Sequence, residues 1–157
     1  AAAGTSIQKK FGIEDNQAKL LAHISGGRPG YAIRLNENPE LLETRQQTLD
    51  SLDQLLHAPL VDRFAFAQEI SSNREELVSA LMSWSSLFRD VLLVSSGSTA
   101  PLTNIDVQDR IQTYAENFEP AKLHRLLNQI EDTIDMLDRY INARLATEIL
   151  FLDLPNI

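Results

Sequence analysis

Residues that could do chemistry are present in this chain, but their spacing assembles no known catalytic group. The three histidines, His23, His57 and His124, lie far apart, and none has a carboxylate or second histidine at a recognisable metal-ligand spacing. They read as helix-surface or half-buried histidines. Glu131-Asp132 and Asp135-Asp138 fall within a helical pattern and read as its solvated face. No nucleophile elbow, phosphate loop or dinucleotide fingerprint occurs. The residues therefore predict no catalytic centre, no metal and no cofactor. The turn Gly26-Gly27-Arg28-Pro29-Gly30 could cradle an anion at a helix start. Without a phosphate-loop lysine it also reads as a plain corner between two helices.

Two stretches are candidates for interaction. Phe88-Arg89-Asp90-Val91-Leu92-Leu93 sets neighbouring opposite charges in an apolar run, where a charge seldom stays unpaired. Arg89 could anchor two helices, meet another chain, or sit with Asp90 on a helix rim. In Asn142-Ala143-Arg144-Leu145-Ala146-Thr147-Glu148, Arg144 and Glu148 stand one turn apart, a spacing that itself supports a helix.

The elements that must position these residues are helices throughout. Apolar residues recur at three and four positions and strict alternation is absent, which predicts an all-α chain. The first helix runs from about Asp15 to Ser25, stopped by Gly26-Gly27. A short one starts at Pro29 and ends near Asn36, and another is launched by Asn38-Pro39 and broken at Ala58-Pro59. Leu60 to Ile70 forms a further helix. Ser72 and Glu75 fit a capping box opening a long helix, along which Leu77, Leu81, Trp84, Phe88 and Val91 form a wide stripe buried on more than one side.

Ser95 to Thr103 is a loop rich in small and turn-forming residues. Helices follow from about Asp106 to Asn117 and from Pro120 towards Ile141, with Asn142 as a hinge or cap. The stretch from Ala143 to Leu154 keeps almost no polar face, so it belongs in the core or against a partner. A boundary near Leu35 to Asn38 divides the chain into residues 1–37 and 38–157.

With 157 residues, 43% of them hydrophobic and 23% charged, the chain can bury a real core as an ordinary globular protein. Its net charge of −8 repels a phosphate backbone, which argues against direct DNA binding. The absence of cysteine excludes disulfides and thiolate metal sites and is compatible with a reducing cytoplasm. No apolar run approaches the ~18 residues of a membrane span. The opening AAAGTS lacks the regions of a signal peptide and reads as a frayed or artificial start.

Ser25, Gly27, Pro29, Gly30 and Ala32 resemble the lid-domain phrase of bacterial clamp-loader subunits. Phe11-Gly12-Ile13, with Ala18, Leu21 and Ala22, fits the lid helix before it. Arg89, Asp90, Leu92 and Leu93 resemble the Arg-Asp and leucines of that family's long collar helix. Asn142, Arg144, Leu145, Ala146, Glu148, Leu150 and Leu152 resemble its leucine-rich close. In this order the motifs resemble the C-terminal part of the delta-prime subunits of bacterial DNA polymerase III clamp loaders.

The resemblance implies a remnant of a AAA+ lid domain over residues 1–37, then a helical collar domain over 38–157, an all-α bundle. ATP-binding members carry an arginine on the register Gly-x-x-Arg-x-Ala. Gly27, Gly30 and Ala32 fill that register here, so Gly30 stands at the ATP-contact position. Tyr31 replaces a residue that is charged in many relatives. The implied function is a non-catalytic oligomerisation module of a stator subunit, with Walker motifs in an upstream domain. The parent complex is an ATPase linked to DNA-directed DNA polymerase.

The implied partners are delta and gamma/tau-type subunits through the collar, with the sliding clamp and DNA met only through the full complex. The implied location is the bacterial cytoplasm, with no membrane contact. Phe88, Arg89, Asp90, Asn142, Arg144 and Glu148 are the candidate interface residues. Two other readings are a fragment of the ATP-hydrolysing motor-type subunit and a helical adaptor unrelated to replication.

Overall fold

The computed structural model describes residues 14–26, 28–139 and 141–157. Among them every regular element is helical: α1 (Asp15–Ile24), α2 (Pro29–Glu37), α3 (Pro39–His57), α4 (Leu60–Ile70), α5 (Arg74–Ser95), a 3₁₀ turn (Ile105–Val107), α6 (Gln108–Asn117), α7 (Pro120–Asp138) and α8 (Ala143–Asp153). The expected all-α bundle is what the chain forms. Gly27 and Phe11 to Ile13, named above for the lid phrase, lie outside the described residues.

Punctuation follows local chemistry. α1 ends where Gly26 turns left-handed, at a φ of 58°, and gives its N–H to the carbonyl of His23 at 2.9 Å, a geometry that costs glycine nothing. Pro29, Pro39 and Pro120 each open a helix, where a missing N–H is no loss. Ala58 is held extended, with ψ at 146°, by the proline after it.

Two expected helix starts move. Asn73, not Ser72, caps α5, its side-chain oxygen accepting from the N–H of Glu76 at 3.2 Å. The Ser72 hydroxyl instead donates to the carbonyl of Glu69 at 2.7 Å, finishing the helix before. The turn expected to open a helix at Asp106 is 3₁₀, and α6 proper begins at Gln108.

The 22-residue α5 is the axis of the bundle, packed against α3, α6 and α7. Leu77, Leu81, Trp84, Leu87, Phe88 and Val91 are all 0% exposed. An 18-residue window of α5 reaches a mean hydropathy of 1.4, long and apolar enough to cross a membrane by length and composition. This corrects the expectation that no stretch approaches that threshold. α5 is apolar because it is surrounded by other helices, which need apolar side chains on more than one side. The buried indole of Trp84 keeps a polar partner, donating to the carbonyl of Thr48 at 2.9 Å.

α8 closes the core from the side, packing on α4 and α7. Phe151 stacks on Phe66 with ring centres 6.1 Å apart and meets Trp84 at 5.8 Å. A second, small core holds Leu21, Ile24, Ala32 and Leu35 between α1 and α2, with Leu42 of α3 packed against it.

Candidate subunit interface

The structure separates the six candidate residues by what they touch. Phe88 is 0% exposed and Asp90 is 2% exposed. Both are interior, so neither offers a surface to another chain. Asp90 is an internal brace: its carboxylate accepts from the backbone N–H of Thr103 at 3.1 Å, the N–H of Asn104 at 2.7 Å and the Asn104 side-chain amide at 2.8 Å. Asn104 in turn accepts from Arg45 of α3 at 2.6 Å, and Arg45 pairs with Asp106 at 2.7 Å. A buried carboxylate with three donors is satisfied in place. The long loop after α5 is thereby pinned to α5 and α3. Asp90 therefore turns away from Arg89, which is exposed, and the two form no ion pair.

Asn142 is a helix cap, its side-chain oxygen accepting from the N–H of Leu145 at 3.1 Å. Arg144 and Glu148 pair one turn apart on the surface of α8 at 2.9 Å, a contact worth about 0.3–0.5 kcal/mol. Of the six, Arg89, Asn142 and Arg144 present substantial surface, with Glu148 half-buried beside its partner. The structure does not draw them into one cluster. Asp90 faces the 103–104 loop, while the other group sits at the start of α8.

The corner before α2 uses its polar groups internally. The Arg28 backbone N–H donates to the carbonyl of Ser25 at 3.1 Å, and its side-chain Nε does the same at 3.1 Å. The guanidinium lies over the ring of Tyr31, 5.5 Å from its centre. These contacts fit a helix corner better than an anion cradle, and they give Tyr31 a local role. Gly30 is exposed on the first turn of α2, and a Cβ there would meet nothing within 4 Å. The fold itself leaves room for a side chain at Gly30. An open cleft of about 860 Å³ separates Gly30 and Tyr31 from Val78 and Met82 of α5.

Two of the three histidines take backbone partners: His23 Nδ1 lies 2.6 Å from the carbonyl of Leu102, and His57 Nδ1 lies 2.8 Å from that of Asp53, while His124 Nδ1 lies 3.4 Å from the Asn128 side-chain amide. Glu131, Asp132, Asp135 and Asp138 are all exposed, the solvated face expected of them. Among the described residues no His, Cys, Asp or Glu cluster could hold a metal ion.

One feature was anticipated only as composition, and another escaped the residue-by-residue reading. Ile141, just before α8, and Leu145, Ile149 and Leu152 on it are 42%, 52%, 54% and 49% exposed, although Ala146, Leu150 and Phe151 of α8 are buried. The missing polar face of this stretch was the available signal. The second feature is Arg63, 3% exposed and bonded to the carbonyls of Phe151 at 3.1 Å, Leu154 at 2.7 Å and Pro155 at 3.0 Å. Its cation sits at the C-terminal end of α8, where the helix dipole is negative. Nothing in the stretch LVDRFAFA announces that role.

A family model described as DNA polymerase III, delta subunit, C terminal, matches residues 39–155, from the start of α3 to just beyond α8. The chain belongs to this family. No curated protein sequence matches it. Membership in the delta C-terminal family makes residues 39–155 part of a DNA polymerase III clamp-loader subunit and implies association with the other subunits. It sets aside the adaptor unrelated to replication. The family description names delta, where the lid phrase resembles delta-prime, and α1 and α2 precede the matched span.

Proposed function

We infer that the chain is the collar end of a stator subunit of delta-prime type, a non-catalytic module that binds delta and gamma/tau-type neighbours in the bacterial cytoplasm. The carrying observation is the family match over the whole α3–α8 bundle. The apolar stripe left uncovered on α8 supports it, since a contiguous exposed apolar surface marks an interaction site. Gly30, at the ATP-contact position, supports a non-motor subunit, because a side chain would fit there and none is present. The two-part division, a lid remnant to residue 37 and a collar after it, belongs to the same reading. The sliding clamp and DNA are then reached only through the assembled loader, and the chain itself turns over no substrate.

Mixing the purified chain with delta and gamma/tau-type subunits and following assembly by light scattering tests this. A complex at micromolar concentration is expected, and its absence would sink the reading. A second reading, that the chain is from delta itself, is favoured by the wording of the matched family. Competition separates the two: a delta-prime chain displaces full-length delta-prime from the loader and leaves delta in place.

A further inference from the structure

Among the described residues, ten large apolar side chains are exposed, and four of them, Ile141, Leu145, Ile149 and Leu152, follow one another at the end of the fold. Ile141 precedes the cap of α8, and steps of four and three residues keep Leu145, Ile149 and Leu152 on one side of that helix. Ile141, Leu145 and Ile149, with Met136 of α7, border a groove of about 210 Å³ between α7 and α8, floored by Ala146 and Leu150. Its rim is acidic. Asp132 of α7 and Asp153 at the end of α8 line it, both exposed. Gln129 donates to Asp153 at 2.9 Å and holds that carboxylate at the edge. On the far flank Arg144 and Glu148 pair with each other and add no net charge.

The walls restrict what can enter. Both are helices whose backbone groups are paired internally, so an extended strand finds no edge to join. An apolar stripe of this length and spacing suits a second amphipathic helix laid along it. A second copy of this chain is disfavoured, because it would bring a further net charge of −8 and the same acidic rim against this one.

We propose that the α7–α8 groove receives an amphipathic helix from a neighbouring clamp-loader subunit, apolar where it enters and basic along the edge meeting Asp132 and Asp153. The assignment rests on the oligomerisation reading above and names the face and the partner chemistry. Leu145 and Ile149 supply the apolar contact, and the two carboxylates fix the orientation of the incoming helix.

The test compares assembly of three versions of the full chain with purified delta and gamma/tau-type subunits. These are the wild type, Leu145→Ser with Ile149→Ser, and Asp132→Lys with Asp153→Lys, each first checked for an unchanged helical spectrum and melting curve. Both double variants should weaken assembly at least ten-fold, and raising salt should weaken the wild type but not the lysine variant. If the wild type assembles and both variants match it, the groove assignment fails and the oligomerisation reading stands. If the wild type does not assemble, the oligomerisation reading fails and takes the groove with it. A wild-type chain that dimerises alone, and becomes monomeric on the serine substitutions, would overturn the heterologous partner.

Discussion

Arg63 carries a full charge into the interior and finds only carbonyls there. Burial draws its guanidinium below the ordinary arginine value, yet arginine keeps its proton in proteins, so the carbonyls of Phe151, Leu154 and Pro155 remain its counter-dipoles. Replacing it strands those acceptors, each costing about 1–3 kcal/mol if left unpaired. Arg63→Met is expected to lose about 3 kcal/mol in urea unfolding, since water reaches part of the vacated site.

Tyr114 is the other chemically distinctive interior side chain. Burial first, then its hydrogen bond to Asp53 and the charge of that carboxylate, push its phenol well above the ordinary value. A folded value raised above the unfolded one stabilises fully below about pH 10 and fades as pH climbs beyond it, because only the unfolded chain then releases the proton. The stability gap between wild type and Tyr114→Phe should therefore narrow above pH 10, by about 1.4 kcal/mol per pH unit. Urea midpoints of both proteins at pH 8 and 11 measure it. Neither residue's role was legible in the sequence. Arg63 meets the carbonyls of Phe151, Leu154 and Pro155 88 to 92 positions away, and only the closed fold brings them together.

At the scale of elements, helix existence was legible and helix edges were less so. The prolines and Gly26 marked their boundaries because each acts through its own backbone. Ser72 misled because one hydroxyl can serve either of two helices. Ser71 and Ser72 give their N–H groups back to Ala67 and Glu69, so α4 uses them and the cap passes to Asn73. Asn142 has no such competitor. Asn142→Ala should cost about 1 kcal/mol, read as a lowered melting temperature, with faster amide exchange confined to the first turn of α8. The candidate interface shows the same limit. Arg89 and Asp90 are neighbours in sequence, but adjacent positions on a helix point about 100° apart, which sends one to solvent and the other to the 103–104 loop. The apolar excess of α8 was legible as composition, whereas which of its leucines stayed uncovered depended on how α4 and α7 seat it.

For the whole molecule, the two cores differ greatly in size. The small one joins α1 and α2 through four buried apolar residues, while the large one runs through α3 to α8. Few buried contacts mean a low local opening free energy. A chain of residues 38–157 is expected to keep the cooperative urea transition of the full chain, and amides of α1 and α2 should exchange faster than those of α5. Loss of the transition on truncation would show that the two parts fold as one.

The seating of α8 also orders events during synthesis. Phe151 fills the space between Phe66 and Trp84, Arg63 waits for carbonyls 151, 154 and 155, and the N–H of Ile157 reaches back to the carbonyl of Leu56. A ribosome that has delivered α3 to α7 has therefore made a bundle with an open flank and an arginine that lacks the three carbonyls of 151, 154 and 155. That nascent chain exposes apolar surface of the kind chaperones bind, and it stays in that state until α8 has left the exit tunnel.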